Sequence, residues 1–538
     1  MLTAAFLLLA QSSGPADLAI VNAKIWTDGQ LQKADCLAVT NGRIVHLGNL
    51  PGLRLGPKTK VIDAKRAVVI PGIIDAHAHM MEGGIGLIDQ LDLRGAKSKA
   101  DFIRMVREFS AKLPKDKWVI GHSWSAESWP EKEQPTKEWI DEATGGRPAL
   151  LERMDGHSLL ANSEALRLSN VTADGPPDPD GGVIDRDATT KAPTGILRER
   201  AMGLIKTPAP SETDLYRGFL EAVKQANRFG ITGASDIASP FRIKLYNQYA
   251  TGKSPSFRIG FYSRTESWSL AFQALKAAKK IPGWFQPNGV KAYMDGSLGS
   301  RTAFMHEPFT TPLPHQPKDW RGVPMPGATN GQYVEQFKEA GRLGYQVIVH
   351  AIGDQANHDV LQLFSTVAGV QSKRFRVEHV QHLMPIDYGM FAKNGVIASY
   401  QPYHKADDGR YCEEVIGTER SKSSYAFKSL IQSKARIAFG SDWPVVTNNP
   451  WEGISAAVTG KILTGKVWMP HQSITLDQAL DAYTRGSAYA MFMDKEIGSL
   501  KPGYRADFAI LDRDPFATNV ELAKVKPKSL WIEGRKVF

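Results

Sequence analysis

Short apolar runs alternate with longer amphipathic stretches along the middle of the chain. Eight of these runs have the length of a buried strand, and in chain order they are GIIDAHAH, ITGASDI, FRIGFYS, GVKAYMD, YQVIVHA, FRVEHVQ, GVIASYQ and RIAFGSD. The stretches between them, such as QYVEQFKEAGRLG, repeat apolar residues at helical spacing, and several end in a helix-capping glycine. Eight strand–helix units predict an α/β fold, a distorted (β/α)8 TIM barrel.

Both ends of the chain show a different pattern, with short alternating strands separated by turns. Asn41-Gly42 lies between two such strands and predicts a hairpin, and a Glu-Gly pair at 533–534 does the same near the end. Residues 15–69 and 496–538 are therefore predicted to form one small composite β-sandwich domain from both termini. The barrel is expected at 70–495.

Two segments interrupt the rhythm of the barrel. The first, at about 93–206, contains extra strand-like pieces (KWVIGHSW and RPALLERMDGHS) and a turn-rich stretch, so an insertion after the first barrel strand is predicted. The second, at 296–330, is rich in Gly, Pro and Thr. Loops of this length in compact domains tend to cover active sites, and we expect both segments to supply substrate contacts.

The first residues read MLTAAFLLLAQSSG, an apolar core of signal-peptide length with no preceding Lys or Arg. Residues 1–14 are predicted to be a signal peptide, which places the protein in the periplasm or outside the cell. A frayed apolar tail on a cytoplasmic protein is the alternative. No later apolar run reaches the roughly 20 residues that span a bilayer.

The net charge of +10 allows a nucleic-acid partner, but the basic residues are scattered and no nucleic-acid-binding motif is present. We therefore predict no nucleic-acid partner and no membrane span. Cys36 and Cys412 are too few for a cysteine-based zinc site. Any metal must be held by histidine and carboxylate ligands.

Residues that can bind a metal occur at or near the ends of five predicted strands. His77 and His79 are two residues apart in an extended run, so both imidazoles can face one ion. The later strands contribute Lys291, His350, His379 and Asp442. A single histidine here is more often a hydrogen-bonded core residue, and Asp442 could cap a helix. The complete ordered set instead predicts a metal site at the carboxyl end of a barrel.

The motifs that carry these residues resemble those of the amidohydrolase superfamily, and within it amidohydrolase family 3, which includes N-substituted formamide deformylases. The motifs are VIPGIIDAHAH, VKAYMDGSLGSRTA, VIVHAIGD, RVEHVQ and FGSDWPV, together with RMDGHSLLANSEAL and GILRE in the insertion and GSLKPGYRADFAIL near the end. The resemblance covers nearly the whole chain and implies a metal-dependent hydrolase on a distorted (β/α)8 barrel.

The resemblance also implies a role for each motif residue. His77 and His79 would bind the more buried metal, and His350 and His379 the more exposed one. Lys291 would be carboxylated and bridge two ions, since an ammonium cannot ligate a cation. Asp442 would bind a metal and act as general base and then general acid. The implied cofactor is a divalent metal, Zn²⁺ by its ligand chemistry, with one or two ions per chain left open.

Several further polar residues are candidates for supporting roles. Asp75 and Asp295 could orient imidazoles, whereas Glu378 should point away from His379 and form an ion pair. Substrate contacts are expected from polar residues of the insertion and of the strand-end loops: His122, His157, Arg301, His382, Tyr403 and His404.

The sequence thus predicts hydrolysis of a C–N bond, of the amide or N-formyl type, in a small molecule. An esterase, lactonase or phosphotriesterase using the same site is the first alternative. A non-catalytic scaffold on the same fold is the second. The substrate and the oligomeric state, including a homo-oligomer, are left open.

Overall fold

A computed structural model describes residues 15–114, 117–126, 129–130, 133–154, 156, 158–179, 182–265, 267–313 and 316–538. The chain divides into two compact units. The first, here called the barrel unit, comprises the described residues up to His79 together with Val223–Trp443 and Thr447–Phe538. The second, the insertion unit, comprises Met80–Ala222 and Pro444–Val446. Residues 1–14, the predicted signal peptide, lie outside the described residues, so export stays a prediction.

The barrel unit is built on one sheet of eight parallel strands, each adjacent in space to its neighbour in sequence. The strands are β1 (Ile73–Ala78), β2 (Ile231–Ala238), β3 (Arg258–Ser263), β4 (Phe285–Tyr293), β5 (Gln346–Ala351), β6 (Arg376–His379), β7 (Ile397–Tyr400) and β8 (Arg436–Phe439). Each contains most of one predicted apolar run. The predicted α/β barrel is confirmed.

The segment after β8 closes the sheet against β1. The backbone N–H of Asp442 donates to the carbonyl of His77 at 2.7 Å, and the N–H of His79 donates to the carbonyl of Trp443 at 2.8 Å. Asp75 strengthens this seam, because its carboxylate accepts from the backbone N–H of Ser441 at 2.9 Å and from its hydroxyl at 2.6 Å. The motifs that contain His77 and Asp442 thereby become neighbours.

Helices follow most of the barrel strands. Those of the barrel unit are Ile243–Ala250, Trp268–Ala277, Pro326–Thr329, Gln332–Leu343, Asp354–Ser365, Val370–Lys373, Tyr388–Asn394, Pro402–Asp408, Cys412–Ile416, Thr418–Ser421, Phe427–Gln432, Pro450–Thr459, Leu476–Asp481 and Ser487–Ala490. The predicted helix in QYVEQFKEAGRLG ends as expected at Gly344, which has a φ of 80°. Among the described residues no helix is both long and apolar enough to cross a membrane.

Two further sheets are built from the ends of the chain, one from the N-terminal region alone and one from both ends. One contains Leu18–Val21, Cys36–Thr40, Arg43–Gly48 and Lys60–Asp63, and the other contains Lys24–Thr27, Gln30–Leu31, Val68–Pro71, Phe508–Leu511, Pro527–Ile532 and Arg535–Lys536. Asn41 and Gly42 both have positive φ, which gives the predicted hairpin the twist its strands require. Ile70 pairs with Ala509, so the sheet joins the two termini. The domain boundaries drawn from sequence stay a prediction.

The insertion unit has its own sheet and core. Its strands are Leu91–Asp92, Val119–Trp124, Ala149–Arg153, Ser158–Ala161, Gly182–Arg186 and Pro193–Glu199, and its helices include Met80–Asp89, Lys99–Ser110, Lys137–Asp141 and Ser163–Leu168. The helix Glu212–Arg228 begins in this unit and ends in the other. Trp124 and Trp129 pack with Phe102 in the core and are fully buried, so these tryptophans serve packing.

Candidate metal centre

Three of the predicted ligands converge at the carboxyl ends of the barrel strands. One donor atom each of His77, His379 and Asp442 lies within 4.8 Å of the other two. The Asp442 carboxylate is 3.2 Å from His77 Nε2 and 3.1 Å from His79 Nε2. Imidazole nitrogens around a carboxylate form a donor set that suits Zn²⁺ and similar divalent ions.

The backbone at this cluster adopts an uncommon conformation. His379 has a φ of 74° and Asp442 a φ of 61°, both in the left-handed region that residues other than glycine rarely occupy. His379 ends β6, and Asp442 lies three residues after the end of β8. Such strain persists where the surrounding structure holds it and concentrates at functional sites.

Glu378 does more than the sequence suggested. Its carboxylate forms the expected ion pair with Arg376 at 2.7 Å, and it also accepts from His77 Nδ1 at 2.6 Å. The left-handed backbone at His379 ends the strand alternation, so the His379 ring lies 5.0 Å from the His77 ring, on the side where Glu378 also points. The expectation that the two side chains diverge is wrong for this reason. Glu378, and not Asp75, orients the His77 imidazole.

The charge state of the cluster matches that of a metal site. Burial and then the neighbouring His350 hold the pKa of His379 well below its usual value, so this imidazole is neutral and able to ligate. Burial would raise the pKa of Asp442, but His77 and His79 outweigh it and hold that pKa well below the usual range. The buried Nδ1 of His379 has no hydrogen-bond partner among the described residues. The residues present therefore fit a divalent ion.

His79 and His350 lie beside this cluster, and each is oriented by a backbone carbonyl. His79 Nδ1 is 3.1 Å from the carbonyl of Ile237, which leaves Nε2 facing Asp442. The His350 ring is 4.4 Å from that of His379, and its Nε2 is 3.0 Å from the carbonyl of Gly296. All four candidate histidines thus lie at one end of the barrel.

Asp295 supports the His350 side of the cluster. Its carboxylate accepts from the backbone N–H groups of Ile352, Gly353 and Phe304, at 3.0, 2.7 and 2.9 Å, and lies 3.6 Å from His350 Nε2. Burial raises the pKa of Asp295 to about 7, although the three backbone N–H groups oppose the shift. Its main contacts are with the loops that follow β4 and β5.

Lys291 is buried on β4, where the charges of Glu378 and Asp442 act on its amine. Burial lowers its pKa to about 8, while Glu378 and Asp442 oppose the shift. Its Nζ lies 5.1 Å from the centre of the Tyr293 ring. A lysine in this environment is deprotonated more easily than a surface lysine. The neutral amine is the form that can react with CO₂.

The predicted substrate contacts occupy different positions. His404 is placed beside the cluster, with Nε2 3.9 Å from the Asp442 carboxylate and its ring 6.1 Å from that of His379. Tyr403 precedes it on the same helix. Arg301 binds carbonyls of its own loop, including that of Thr311 at 3.0 Å. His382 is fully buried and bonds the Ser424 hydroxyl at 2.8 Å.

The other two predicted contacts fall outside the barrel unit. His122 lies on a strand of the insertion unit, with Nδ1 2.9 Å from the hydroxyl of Ser123. His157 lies outside the described residues.

Sequence reasoning also missed Gln401, whose side chain is buried at the end of β7 with both polar atoms unpartnered among the described residues. Its position two residues after Ser399 on an inward-facing strand was the available signal.

Comparison with known proteins agrees with the fold and the donor set. Residues 60–538 match the amidohydrolase family. The chain is 34% identical to the protein LONG AFTER FAR-RED 3 of Arabidopsis thaliana, over 97% of this chain and 92% of that protein. It is 26% identical to the N-substituted formamide deformylase of Arthrobacter pascens, over 96% of this chain and 97% of that protein.

A solved structure supports the same conclusion. The crystal structure of an uncharacterized metal-dependent hydrolase from Pyrococcus furiosus is similar with a TM-score of 0.72 at 28% identity, and the match covers 93% of this chain and 100% of that one. An eight-stranded barrel with histidines and a carboxylate at its strand ends defines a metal-dependent hydrolase. The chain belongs to the amidohydrolase family, and the resemblance to its family 3 branch is confirmed.

Proposed function

We propose that the protein hydrolyses a C–N bond of the amide or N-formyl type in a small molecule, with a divalent metal, Zn²⁺, as cofactor. The observation that carries the proposal is the cluster of His77, His379 and Asp442, with donor atoms within 4.8 Å of one another and a His379 nitrogen that no described residue contacts by a hydrogen bond. The similarity to an N-substituted formamide deformylase supports the type of bond.

The chain offers enough ligands for two ions. His77 and His79 would hold one ion, and His350 and His379 a second. Lys291, once carboxylated, would supply a further carboxylate ligand, and its lowered pKa favours the neutral amine that carboxylation needs. A bound divalent ion would lower the pKa of a water molecule and polarise the scissile carbonyl.

The residues of the chain position the other groups and move the protons. Glu378 fixes the His77 imidazole through Nδ1, so that Nε2 faces Asp442. Asp442 is an ionised carboxylate and accepts the proton of the attacking water, then returns it to the leaving amine. His404 would lie beside the substrate, 3.9 Å from Asp442.

One experiment tests both the type of bond that is hydrolysed and the requirement for a metal. The full-length protein, stripped with a chelator and reconstituted with Zn²⁺, is assayed on N-benzylformamide and on benzyl formate. We expect hydrolysis that depends on Zn²⁺. The ratio of the enzymatic rate to the uncatalysed rate should be larger for the formamide than for the ester. Activity only on the ester would support an esterase, and activity that survives chelation would contradict the metal requirement. Native mass spectrometry at neutral pH, which preserves the acid-labile carbamate, should show one added CO₂, absent in Lys291→Ala.

Two further proposals concern the cellular location of the protein and its oligomeric state. Export to the periplasm or beyond follows from the apolar segment at residues 2–10. Cell fractionation after expression tests it, since a protein confined to the cytoplasm would contradict export. A homo-oligomer stays open, and light scattering of the purified chain measures it directly.

A further inference from the structure

Gln401 stands at the carboxyl end of β7 with an unusual pair of open atoms. Its side chain is 1% exposed, yet neither Nε2 nor Oε1 has a hydrogen-bond partner among the described residues. An unpaired buried amide is costly, so a buried carboxamide with two open atoms calls for a ligand.

The strand register places this side chain on the inner face of the barrel. Ser399 pairs with Glu378 of β6, and its hydroxyl accepts from Arg376 at 3.3 Å, so Ser399 points inward. Tyr400 points the other way and packs on Phe427 at 4.7 Å. Gln401 is two residues beyond Ser399 and still extended, with φ of −113° and ψ of 90°, so its side chain returns to the inner face, one layer nearer the carboxyl end of the barrel.

The next residues along the chain connect this position to the metal centre. His404 lies three residues on, and its Nε2 is 3.9 Å from the Asp442 carboxylate and is also buried without a hydrogen-bond partner among the described residues. Gln381 Nε2 donates to His404 Nδ1 at 3.4 Å, which leaves the ring proton on His404 Nε2. His404 therefore offers an open donor beside the centre, and Gln401, three residues earlier, offers an open donor and an open acceptor at the same end of the barrel.

Resting on the proposed function, we infer that Gln401 is a specificity-determining residue that binds the substrate through both atoms of its carboxamide. The matching group presents an N–H and a C=O on the same edge: a primary amide, a urea or a ring amide. Gln401 Nε2 donates to that carbonyl, and Gln401 Oε1 accepts from that N–H. A secondary amide offers both groups on one edge only in its minor cis form, which is the form in which N-benzylformamide would bind, and an ester or lactone has no N–H.

The consequence is discrimination between amides and esters by the protein itself. A site that presents a buried acceptor to an N–H leaves it unpaired when an ester binds, and such sites reject the analogue that lacks the donor. The metal centre alone offers no such distinction, because activated water attacks either carbonyl.

The test measures binding of four small probes to the Zn²⁺-loaded, full-length protein by ligand-observed NMR. The probes are 2-pyrrolidinone, which has N–H and C=O on one edge, N-methylacetamide, which has them on opposite edges, and N-methyl-2-pyrrolidinone and γ-butyrolactone, which have no N–H. We expect 2-pyrrolidinone to bind about tenfold more tightly than the other three, because only its N–H and C=O can pair with both atoms of Gln401 at once. In Gln401→Leu the four affinities should become equal within about twofold.

A second variant and a control keep the result interpretable. Gln401→Met keeps the length of the side chain but has no amide donor or acceptor, so it should also lose the preference even if Gln401→Leu folds poorly. Gln362→Leu changes an exposed glutamine of helix Asp354–Ser365 and should keep it. Equal binding of all probes to the wild type, no binding of any probe, or a preference that survives in both Gln401 variants would overturn the inference. The Zn²⁺-dependence assay of the proposed function uses the wild-type protein and does not involve the Gln401 variants. A failure of the proposed function is therefore distinguishable from a failure of this inference.

Discussion

Two buried polar clusters of the barrel unit differ in how completely their hydrogen bonds are made. At the start of β3, Arg258 is fully buried, and its guanidinium donates to the Asp507 carboxylate at 2.6 and 2.8 Å. It also donates to the carbonyl of Gly283 and lies 4.4 Å from the centre of the Trp284 ring. At the carboxyl ends of the strands, by contrast, His379, Gln401 and His404 keep atoms that have no partner in the part of the chain that the structure describes.

The difference separates a structural role from a functional one. Asp507 immediately precedes the strand Phe508–Leu511, so its pair with Arg258 links the C-terminal sheet region to the barrel, and both carboxylate oxygens are hydrogen-bonded. The open cluster gains nothing for stability from its unpaired atoms and its left-handed backbone at His379 and Asp442. Open atoms at one end of the barrel indicate where a ligand belongs.

The largest effect on the open cluster is expected from Asp442→Asn. The amide cannot accept the proton of the attacking water, so kcat/KM should fall by about 10²- to 10⁴-fold. The denaturation midpoint should change little. Steady-state kinetics on N-benzylformamide measure the first quantity, and the exposed Asp319→Asn is the matched control. Activity within a few-fold of wild type would remove Asp442 from the chemistry.

The corresponding change in the closed cluster is Arg258→Met. It leaves Asp507 buried without its cationic partner, which should lower the free energy of unfolding by about 3–5 kcal/mol. Activity per folded molecule should stay near that of the wild type. Urea denaturation measures the loss, and Arg104→Met, which breaks only exposed pairs with Asp101 and Glu108, should cost less than about 1 kcal/mol. Equal effects of the two substitutions would erase the distinction drawn above.

A smaller effect is expected from Glu378→Gln. The amide still reaches His77 Nδ1 but carries no charge, so the orientation and basicity of that imidazole weaken and metal affinity should fall by about 10- to 100-fold. Competition with a chromogenic chelator measures the affinity. The exposed Glu335→Gln should leave it unchanged. An unaltered affinity in Glu378→Gln would show that its contact with His77 serves packing alone.

Much of the barrel was predictable because its signals are local. Eight apolar runs separated by amphipathic stretches gave eight strands in the right order, and the spacing of His77 and His79 put both imidazoles near Asp442. The rules that worked depend only on neighbouring residues, namely strand alternation and the position of a residue at a strand end.

The rest depended on backbone conformation or on distant partners. Strand alternation failed at His379, where a left-handed φ reverses the direction of the side chain, so the contact between Glu378 and His77 was missed. The pair of Arg258 and Asp507 joins residues 249 positions apart, and no local pattern links them. Gln401 resembled any polar residue after a strand until its unpartnered atoms were visible.

The most direct measurement is the metal content per chain, by plasma mass spectrometry, of wild type, His77→Ala and His471→Ala prepared side by side. His471 is exposed and bonds only the carbonyl of Lys422 among the described residues, so it controls for loss of a histidine. We expect one or two zinc ions in wild type and in His471→Ala, and fewer in His77→Ala. A wild type that holds no metal after reconstitution, or a His77→Ala variant with unchanged content, would contradict the metal centre.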